Sequence, residues 1–530
     1  MAMYRIGIMV DQLHLQAWQL NCVQELQLSG LARIEVIILN QHPLSSKKSS
    51  NFLYKLYRKV DRFLFKPAQD AFKKQFIYSL LEKTTPVIPV QPIQSKYRDA
   101  FSSENLNEIA SFHLDIILRF GFRILSGPIL ALPRLGIWSF HHGNPRYYRG
   151  GPPAFWEVME KQASTGVVLM RLSEALDQGE ILYESLTQTD PLSVERNAQK
   201  LFWVSSFFPV RVLKRFALDP LVVPASSPIA PPAPLKRNPS NWQMLALLTK
   251  HLWNTIDRKF DEWKLPAHWE VGSANVEIIQ ISGNTVIPPK SFLKNPFPNT
   301  YLADPFPVKE GKTTWIFAEC YDKKSAKGSI VVLDGNGLGH RVLEESWHVS
   351  YPFIFSVNDT FFMVPESSQV GKLYLYEAIK FPFHWERKSI LLAIEGYDPT
   401  IYKNEKGFWL FVNQKSHELS SPFDELHLYF SPTLTQAHWE PSPLNPIVSD
   451  VRKARPAGNI FNWGDQLIRP AQDSELRYGH RIRLMEITNL SLTHYQEQEI
   501  GRVEADAPAL GIHTLNFQEE TAWVDFYFRK

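Results

Sequence analysis

The chain has 530 residues, 44% hydrophobic and 21% charged, with a formal net charge of +3. That length exceeds what one hydrophobic core sustains, so two or three domains are expected, and the balance is that of a globular protein rather than a disordered one. So small a charge on so long a chain gives no nucleic-acid footprint, and Lys47-Lys48 reads as a solvated loop.

From the N-terminus, YRIGIMV reads as a first strand because Asp11 ends its apolar run before any leader pattern develops. A helix-like segment from Leu13 to Leu28 and the strand IEVIIL follow, which is the βαβ signature of a parallel sheet. Further strands are LDIILRF, GIWSFHHG and GVVLMRL, so residues 1–217 are expected to form a doubly wound α/β domain. Cys22 and Cys320 lie far apart and read as buried thiols of a reducing compartment, which points to a cytoplasmic protein. Proline is dense between Asp219 and Pro239, and the periodic segment NWQMLALLTKHLWNTIDRKFDEW comes next, so residues 218–270 read as a linker and a connecting helix. No run of 18 apolar residues occurs, which leaves no transmembrane candidate.

From about Val271 to Lys530 the helical pattern gives way to short aromatic and β-branched strands. Asp304-Pro305, Tyr351-Pro352, Asp398-Pro399, Arg455-Pro456 and His513 open five units separated by 47, 47, 57 and 58 residues. Each opening is followed by a second strand: WIFAE, FFMVPE, FWLFVN, LIRPAQD and AWVDFYF. A repeat of this length with about four strands is a propeller blade, so residues 271–530 are expected to form an all-β five-bladed propeller. The last unit lacks strands, and a segment before Asp304 such as ANVEIIQI is expected to complete it and remove its sheet edge. Asp304, Glu319, Glu366, Asp398, Arg455, Arg469 and Asp473 are the candidates to face a central channel and bind glycan. The arginines are expected to neutralise the carboxylates and hold them ionised.

The most informative segment runs from Gly136 to Leu182. It contains His141, then Arg149-Gly150, Thr165-Gly166-Val167 and Leu176-Asp177-Gln178-Gly179. A transfer to an amine that passes through a tetrahedral oxyanion needs a donor beside the developing charge and a base for the proton that leaves nitrogen. His141 ends a strand at the carboxyl edge, where open α/β sheets bind ligands, and Asp177 in a following loop can raise its affinity for a proton.

In these motifs the segment resembles the 10-formyltetrahydrofolate-dependent formyltransferases that act on methionyl-tRNA, glycinamide ribonucleotide or sugar amines. The resemblance covers roughly residues 1–217. It implies 10-formyltetrahydrofolate as formyl donor, His141 and Asp177 as catalytic residues, and Phe122, Ile124, Leu125 and Asp177 around the folate. No metal is expected. Where the family has an asparagine two residues before the histidine, this chain has Ser139, and Asn144 and His142 are the nearby candidates to supply the missing contact. The C-terminal repeats resemble five-bladed glycoside hydrolases and, more closely, the propeller domain of glucosamine inositolphosphorylceramide transferases. Together these resemblances imply formyl transfer to an amine of a sugar or glycan-linked acceptor. The alternative is a glycan-binding or glycan-cleaving propeller beside an inactive or repurposed α/β domain.

Overall fold

The computed structural model describes residues 3–42, 51–81, 83–174, 179–219, 233–264, 267–334, 337–434 and 438–529. It divides into two compact units, Met1–Asn254 with Ser416–Ser420, and Thr255–Lys415 with Ser421–Lys530. No helix among the described residues is long and apolar enough to cross a membrane. The heart of the proline-rich stretch, residues 220–232, lies outside the described residues.

The first unit is built on a sheet of β1 (Tyr4–Val10), β2 (Ala32–Asn40), β3 (Val87–Val90), β4 (Ile116–Arg119), β5 (Ile137–His141), β6 (Ser164–Arg171) and β7 (Glu180–Gln188). The spatial order is β7-β6-β5-β4-β1-β2-β3. Strands β5, β4, β1, β2 and β3 run parallel, β6 is antiparallel to β5, and β7 is antiparallel to β6. Its helices are α1 (Ala17–Leu28), α2 (Phe52–Leu64), α3 (Ser103–Ala110), α4 (Phe155–Met159), α5 (Val194–Ser205), α6 (Phe208–Leu218) and the first part of α7 (Asn241–Lys264), which runs on past Asn254 into the second unit.

Alternation along β1 decides which face each side chain serves. Ile6, Ile8 and Val10 pack with α1, α5 and α6, whereas Met9 joins Ile117, Ile137 and Ile109 of α3 on the other side. Both faces are covered, as a parallel sheet requires. The expected doubly wound α/β architecture of the first unit is what the chain adopts.

The second unit is all-β. Among its described residues, four-stranded antiparallel sheets open at Thr300–Glu310 and Ser350–Val357, and a third opens at Tyr397–Asn404. A fourth contains Phe461–Trp463, Gln466–Asp473, Arg481–Leu490 and Tyr495–Ala505, with Gly283–Ile287 added in parallel. The fifth joins Gly511–Gln518 and Thr521–Arg529 to Ala267–Asn275. The strand that completes this last sheet is therefore AHWEVGSAN rather than ANVEIIQI. Residues Val276–Ile278 of the expected segment instead form a 3₁₀ turn.

The repeated opening dipeptides have a structural cause. Pairing skips from Ala303 to Phe306, from Ser350 to Phe353, from Tyr397 to Thr400 and from Ile512 to Leu515. Each skip is a β-bulge in which two residues face one on the neighbouring strand, and a bulge bends the strand and re-aims a side chain. Asp304, Tyr351 and Asp398 take left-handed backbone angles at these bulges, with φ of 52°, 44° and 47°. Non-glycine residues adopt that region at a cost, and it recurs where surrounding contacts over-determine it.

Candidate functional site

In the first unit, the carboxyl ends of β4 and β5 lie side by side, and their register sets Arg119 opposite Ser139. Arg119 Nη1 donates to Ser139 Oγ at 2.8 Å, and its Nη2 donates to the carbonyls of Phe122 and Arg123 at 3.0 and 2.9 Å. The loop after β4 is thereby tied back over the strand ends. Phe122, at φ 64°, donates its N–H to Asp11 Oδ1 at 2.8 Å, which anchors the loop to the end of β1. Arg119, Ile124, Leu125, Ser139, His141, Met170 and Leu172 line one cavity of about 150 Å³.

His141 Nε2 lies 3.0 Å from the Tyr148 carbonyl. A carbonyl only accepts, so Nε2 carries the hydrogen and Nδ1 of the neutral ring holds the lone pair. His142 has a different fate. It stacks on Phe202 with ring centroids 3.6 Å apart, meets Trp18 edge-on and contacts Ser205 Oγ at 3.1 Å. Burial among these rings, then the neighbouring His141, push its pKa down to about 3, so it is a neutral core residue.

Asn144 is buried and its Nδ2 donates to Glu184 Oε1 at 3.2 Å, while its Oδ1 accepts from Arg146 N. It turns to β7 rather than lining the cavity with Ser139. Phe122 stacks on Phe101 at 5.7 Å and acts on the cavity through the loop it orders. Asp177 falls outside the described residues. The glycine of the Thr165-Gly166-Val167 motif has a packing reason, because a Cβ there would lie 2.9 Å from Leu186 Cδ2 and 3.0 Å from Asn144 Cβ.

Sequence reasoning missed Arg119. The signal was a single charge at the carboxyl end of the otherwise apolar strand IILR, a position from which it reaches the neighbouring strand's small side chain.

In the second unit the bulges gather a buried polar cluster. Arg455 Nε donates to Asp398 Oδ2 at 2.5 Å, and its Nη2 reaches Asp398 Oδ1 at 3.1 Å and Glu366 Oε2 at 3.2 Å. Gln472 Nε2 adds a bond to Asp398 Oδ2 at 2.6 Å. His513 stands between two carboxylates, with Nδ1 2.7 Å from Asp525 Oδ2 and Nε2 3.2 Å from Asp304 Oδ1. Burial disfavours its charge, but Asp525 and then Asp304 raise its pKa to about 10. Asp304, His513 and Asp525 are also the one group among the described residues whose ligand atoms lie within 4.8 Å of one another. A ring protonated on both nitrogens has no lone pair to give a metal.

Hydrogen bonds link one sheet to the next. Asp525 accepts from Asp304 N at 2.9 Å, Asp304 from Tyr351 N at 3.1 Å and Glu366 from Asp398 N at 3.1 Å. Glu366 does not behave as the expected ionised partner of an arginine: burial and then Asp398 push its pKa up to about 8, against the pull of Arg455. Burial also raises Glu319, followed by the charge of Asp304.

Two expected members sit elsewhere. Arg469 donates to Glu497 Oε2 from Nε and Nη2 at 3.0 and 2.7 Å, and Asp473 accepts from Arg481 and Arg483 at 2.8 and 2.6 Å. Gln472 takes the central place in that sheet, and Asp525 and Tyr351 complete a set that the sequence reading did not include. Over Arg455 lie the rings of Phe423, Tyr478 and Tyr397, with centroids at 4.9, 5.3 and 5.6 Å. Aromatic faces beside fixed polar groups suit a ligand with an apolar face and many hydroxyls.

The arrangement defines a class: an α/β domain with a strand-end histidine cavity on one chain with an all-β domain of repeated sheets. Residues 70–200 match the formyl transferase family model, and residues 269–516 match that of glucosamine inositolphosphorylceramide transferase 1, N-terminal. The chain thus carries a formyl transferase domain followed by a domain of the second kind. It is 32% identical over 225 residues to glucosamine inositolphosphorylceramide transferase 1 of Arabidopsis thaliana, covering 41% of this chain and 29% of that protein. It is 36% identical over 87 residues to methionyl-tRNA formyltransferase of Prochlorococcus marinus (strain MIT 9215), covering 16% of this chain and 26% of that one. The chain therefore spans less than a third of each of these two curated relatives.

Among solved structures, glycinamide ribonucleotide transformylase 1 from Symbiobacterium toebii aligns with 44% of this chain and 95% of its own, at 13% identity and a TM-score of 0.29. The catalytic domain of the Coprinopsis cinerea GH62 α-L-arabinofuranosidase aligns with 47% of this chain and 98% of its own, at 12% identity and a TM-score of 0.34. Neither likeness is close enough to carry an argument.

Proposed function

We propose that the first unit transfers a formyl group from 10-formyltetrahydrofolate to an amine of a sugar or glycan-linked acceptor, and that the second unit is a five-bladed propeller that holds the glycan. The observation that carries the first half is the single cavity that joins Ile124 and Leu125 to Ser139, His141 and Arg119. Its apolar walls, with Met170 and Leu172, fit a flat heteroaromatic ring, and its polar side fits a reacting carbonyl. 10-Formyltetrahydrofolate would supply an activated one-carbon group at the formyl oxidation level.

The chain's own residues account for the rest. His141 fixes its hydrogen at Nε2 on the Tyr148 carbonyl, so Nδ1 is the atom that takes the proton released by the attacking amine. Arg119, beside Ser139, offers a cation where the family pattern has an amide, and a charged donor stabilises a developing oxyanion. Asp177 is the partner that would stabilise the imidazolium. Ser139 is too short to replace the amide and serves to hold the Arg119 guanidinium. Asn144 supports the fold of the lip through Glu184.

For the second half, the support is the buried set of Asp304, Glu319, Glu366, Asp398, Arg455 and Gln472, with the rings of Tyr397, Phe423 and Tyr478 over Arg455. A cleaving rather than binding role has one observation in its favour: burial and the Asp398 charge push the Glu366 pKa up to about 8, in the direction a general acid requires. Glycan binding that persists in Glu366→Gln without turnover by the parent supports the binding module, and turnover lost in that variant supports cleavage.

The decisive experiment for the first half is calorimetric titration with a stable folate analogue, using the parent and Leu125→Trp. Binding by the parent that disappears when the cavity is filled is the expected result. No binding by the parent overturns the reading.

A further inference from the structure

Independently of either reaction, helices α2 and α7 present faces that the fold does not use. On their inner sides Leu53, Tyr54, Tyr57, Met244, Leu247 and Leu248 gather on Phe155, Val158 and Met159 of α4 and on Val194 of α5. Leu53 N donates to Asn241 Oδ1 at 3.1 Å, which joins the N-terminal ends of the two helices.

The outer sides are apolar and exposed. On α2, Phe52, Leu56, Val60, Phe63 and Leu64 recur at helical spacing, with Phe63 83% exposed. On α7, Trp242, Leu245, Leu252 and Trp253 do the same, with the two tryptophans 82% and 72% exposed. An apolar face of this extent on two adjoining helices is more than the scattered apolar residues of an ordinary surface.

The exposed charged side chains that α2 and the first half of α7 themselves carry are basic. Between Asn51 and Lys66 the only acid is Asp61, which is buried and accepts from Glu195 N at 2.7 Å, and between Asn241 and Asn254 there is none. Lys55, Lys59, Lys66 and Lys250 are exposed. A second copy docked through this face about a two-fold axis would bring these lysines against their own equivalents. An anionic surface meets them with the opposite sign. Aromatic and aliphatic side chains on one side of a helix, with lysines flanking them, are the pattern of helices that lie in a lipid interface.

We propose that α2 and the first half of α7 form a docking surface for an anionic lipid bilayer, inserting Phe63, Trp242 and Trp253 among the acyl chains while Lys55, Lys59, Lys66 and Lys250 meet the headgroups. The test floats the full chain with vesicles of phosphatidylcholine, with or without phosphatidylglycerol, and runs sedimentation velocity alongside. Two variants are compared, Lys55→Glu/Lys59→Glu/Lys66→Glu and Phe63→Ser/Trp253→Ser. All substituted side chains are exposed, and far-ultraviolet circular dichroism checks the folds. The chain is expected to float with anionic vesicles only, and each variant to lose roughly tenfold or more in affinity. Absence of binding to anionic vesicles overturns the proposal, as does binding that neither variant weakens. A concentration-dependent dimer that Phe63→Ser/Trp253→Ser dissolves, in a chain that ignores vesicles, also overturns it and assigns the face to self-association.

Discussion

Arg455 and Asp398 face each other through two hydrogen bonds, and the guanidinium that makes them reaches Glu366 as well. One cation cannot neutralise two buried carboxylates. Asp398 takes two of its hydrogen bonds, and burial together with the Asp398 charge pushes the Glu366 pKa up. Replacing Arg455 with methionine leaves Asp398 buried without its counterion and is expected to destabilise the second unit by about 3 kcal/mol or more. Glu366→Gln replaces a carboxyl of raised pKa by a neutral amide and is expected to cost less than about 1 kcal/mol at pH 7. Urea unfolding of both variants at that pH checks the contrast, and equal losses would contradict it.

The His513 imidazolium gives the second unit a stability that depends on pH. Its folded pKa is raised to about 10 from 6.5, so its contribution is present in full below about pH 6.5 and is lost as pH climbs to about 10. The gap in urea midpoint between the parent and His513→Gln is expected to be widest near pH 6 and to narrow towards pH 10. A gap that does not change with pH would show that the ring is neutral throughout.

If the first unit transfers formyl as proposed, Arg119→Met is expected to lower that turnover by about 100-fold to 1,000-fold, as removal of an oxyanion donor does. Folate-analogue binding should change far less, because the apolar walls remain. Single-turnover rates and titration calorimetry on one preparation separate the two quantities. A binding loss as large as the rate loss would make Arg119 a residue that holds the cofactor.

Gly166→Ala is expected to destabilise the first unit by about 1–3 kcal/mol, since the added methyl meets Leu186 and Asn144 at 2.9 and 3.0 Å. A thermal melt that leaves the midpoint unmoved would show that β7 yields at no cost.

How far the sequence carried the reading depended on the kind of signal. Strand alternation and the spaced motifs gave the α/β order, the place of His141 and the opening of each repeat, because these are periodic or local. Arg119 had no periodicity, and its meaning came only from the strand register that sets it beside Ser139. In the fourth repeat, charge points to Arg469 and Asp473. Position was the better guide: Pro456 pairs with Ala471, so Gln472 is the counterpart of Glu319 and Glu366, and its neighbours on either side point away. A slip of one residue along a strand exchanges its two faces. The raised pKa of Glu366 is hidden for a related reason, because a sequence shows the charges of neighbours but not the depth at which they are buried.

The fifth sheet of the second unit sets Ala267 against Arg529 and Asn275 against Thr521. During synthesis, a ribosome releases the first of these strands early and its partner only after the intervening sheets have emerged. Until then the strand Ala267–Asn275 waits with one edge unpaired, and such an edge is a template for any stray strand nearby. The nascent unit therefore passes through a stage in which four sheets are available and the fifth is not, and that stage lasts while the strands Gly511–Gln518 and Thr521–Arg529 are being made. Slower elongation across the last two strands would lengthen it, so the yield of soluble protein should respond to codon choice there more than in the middle of the unit.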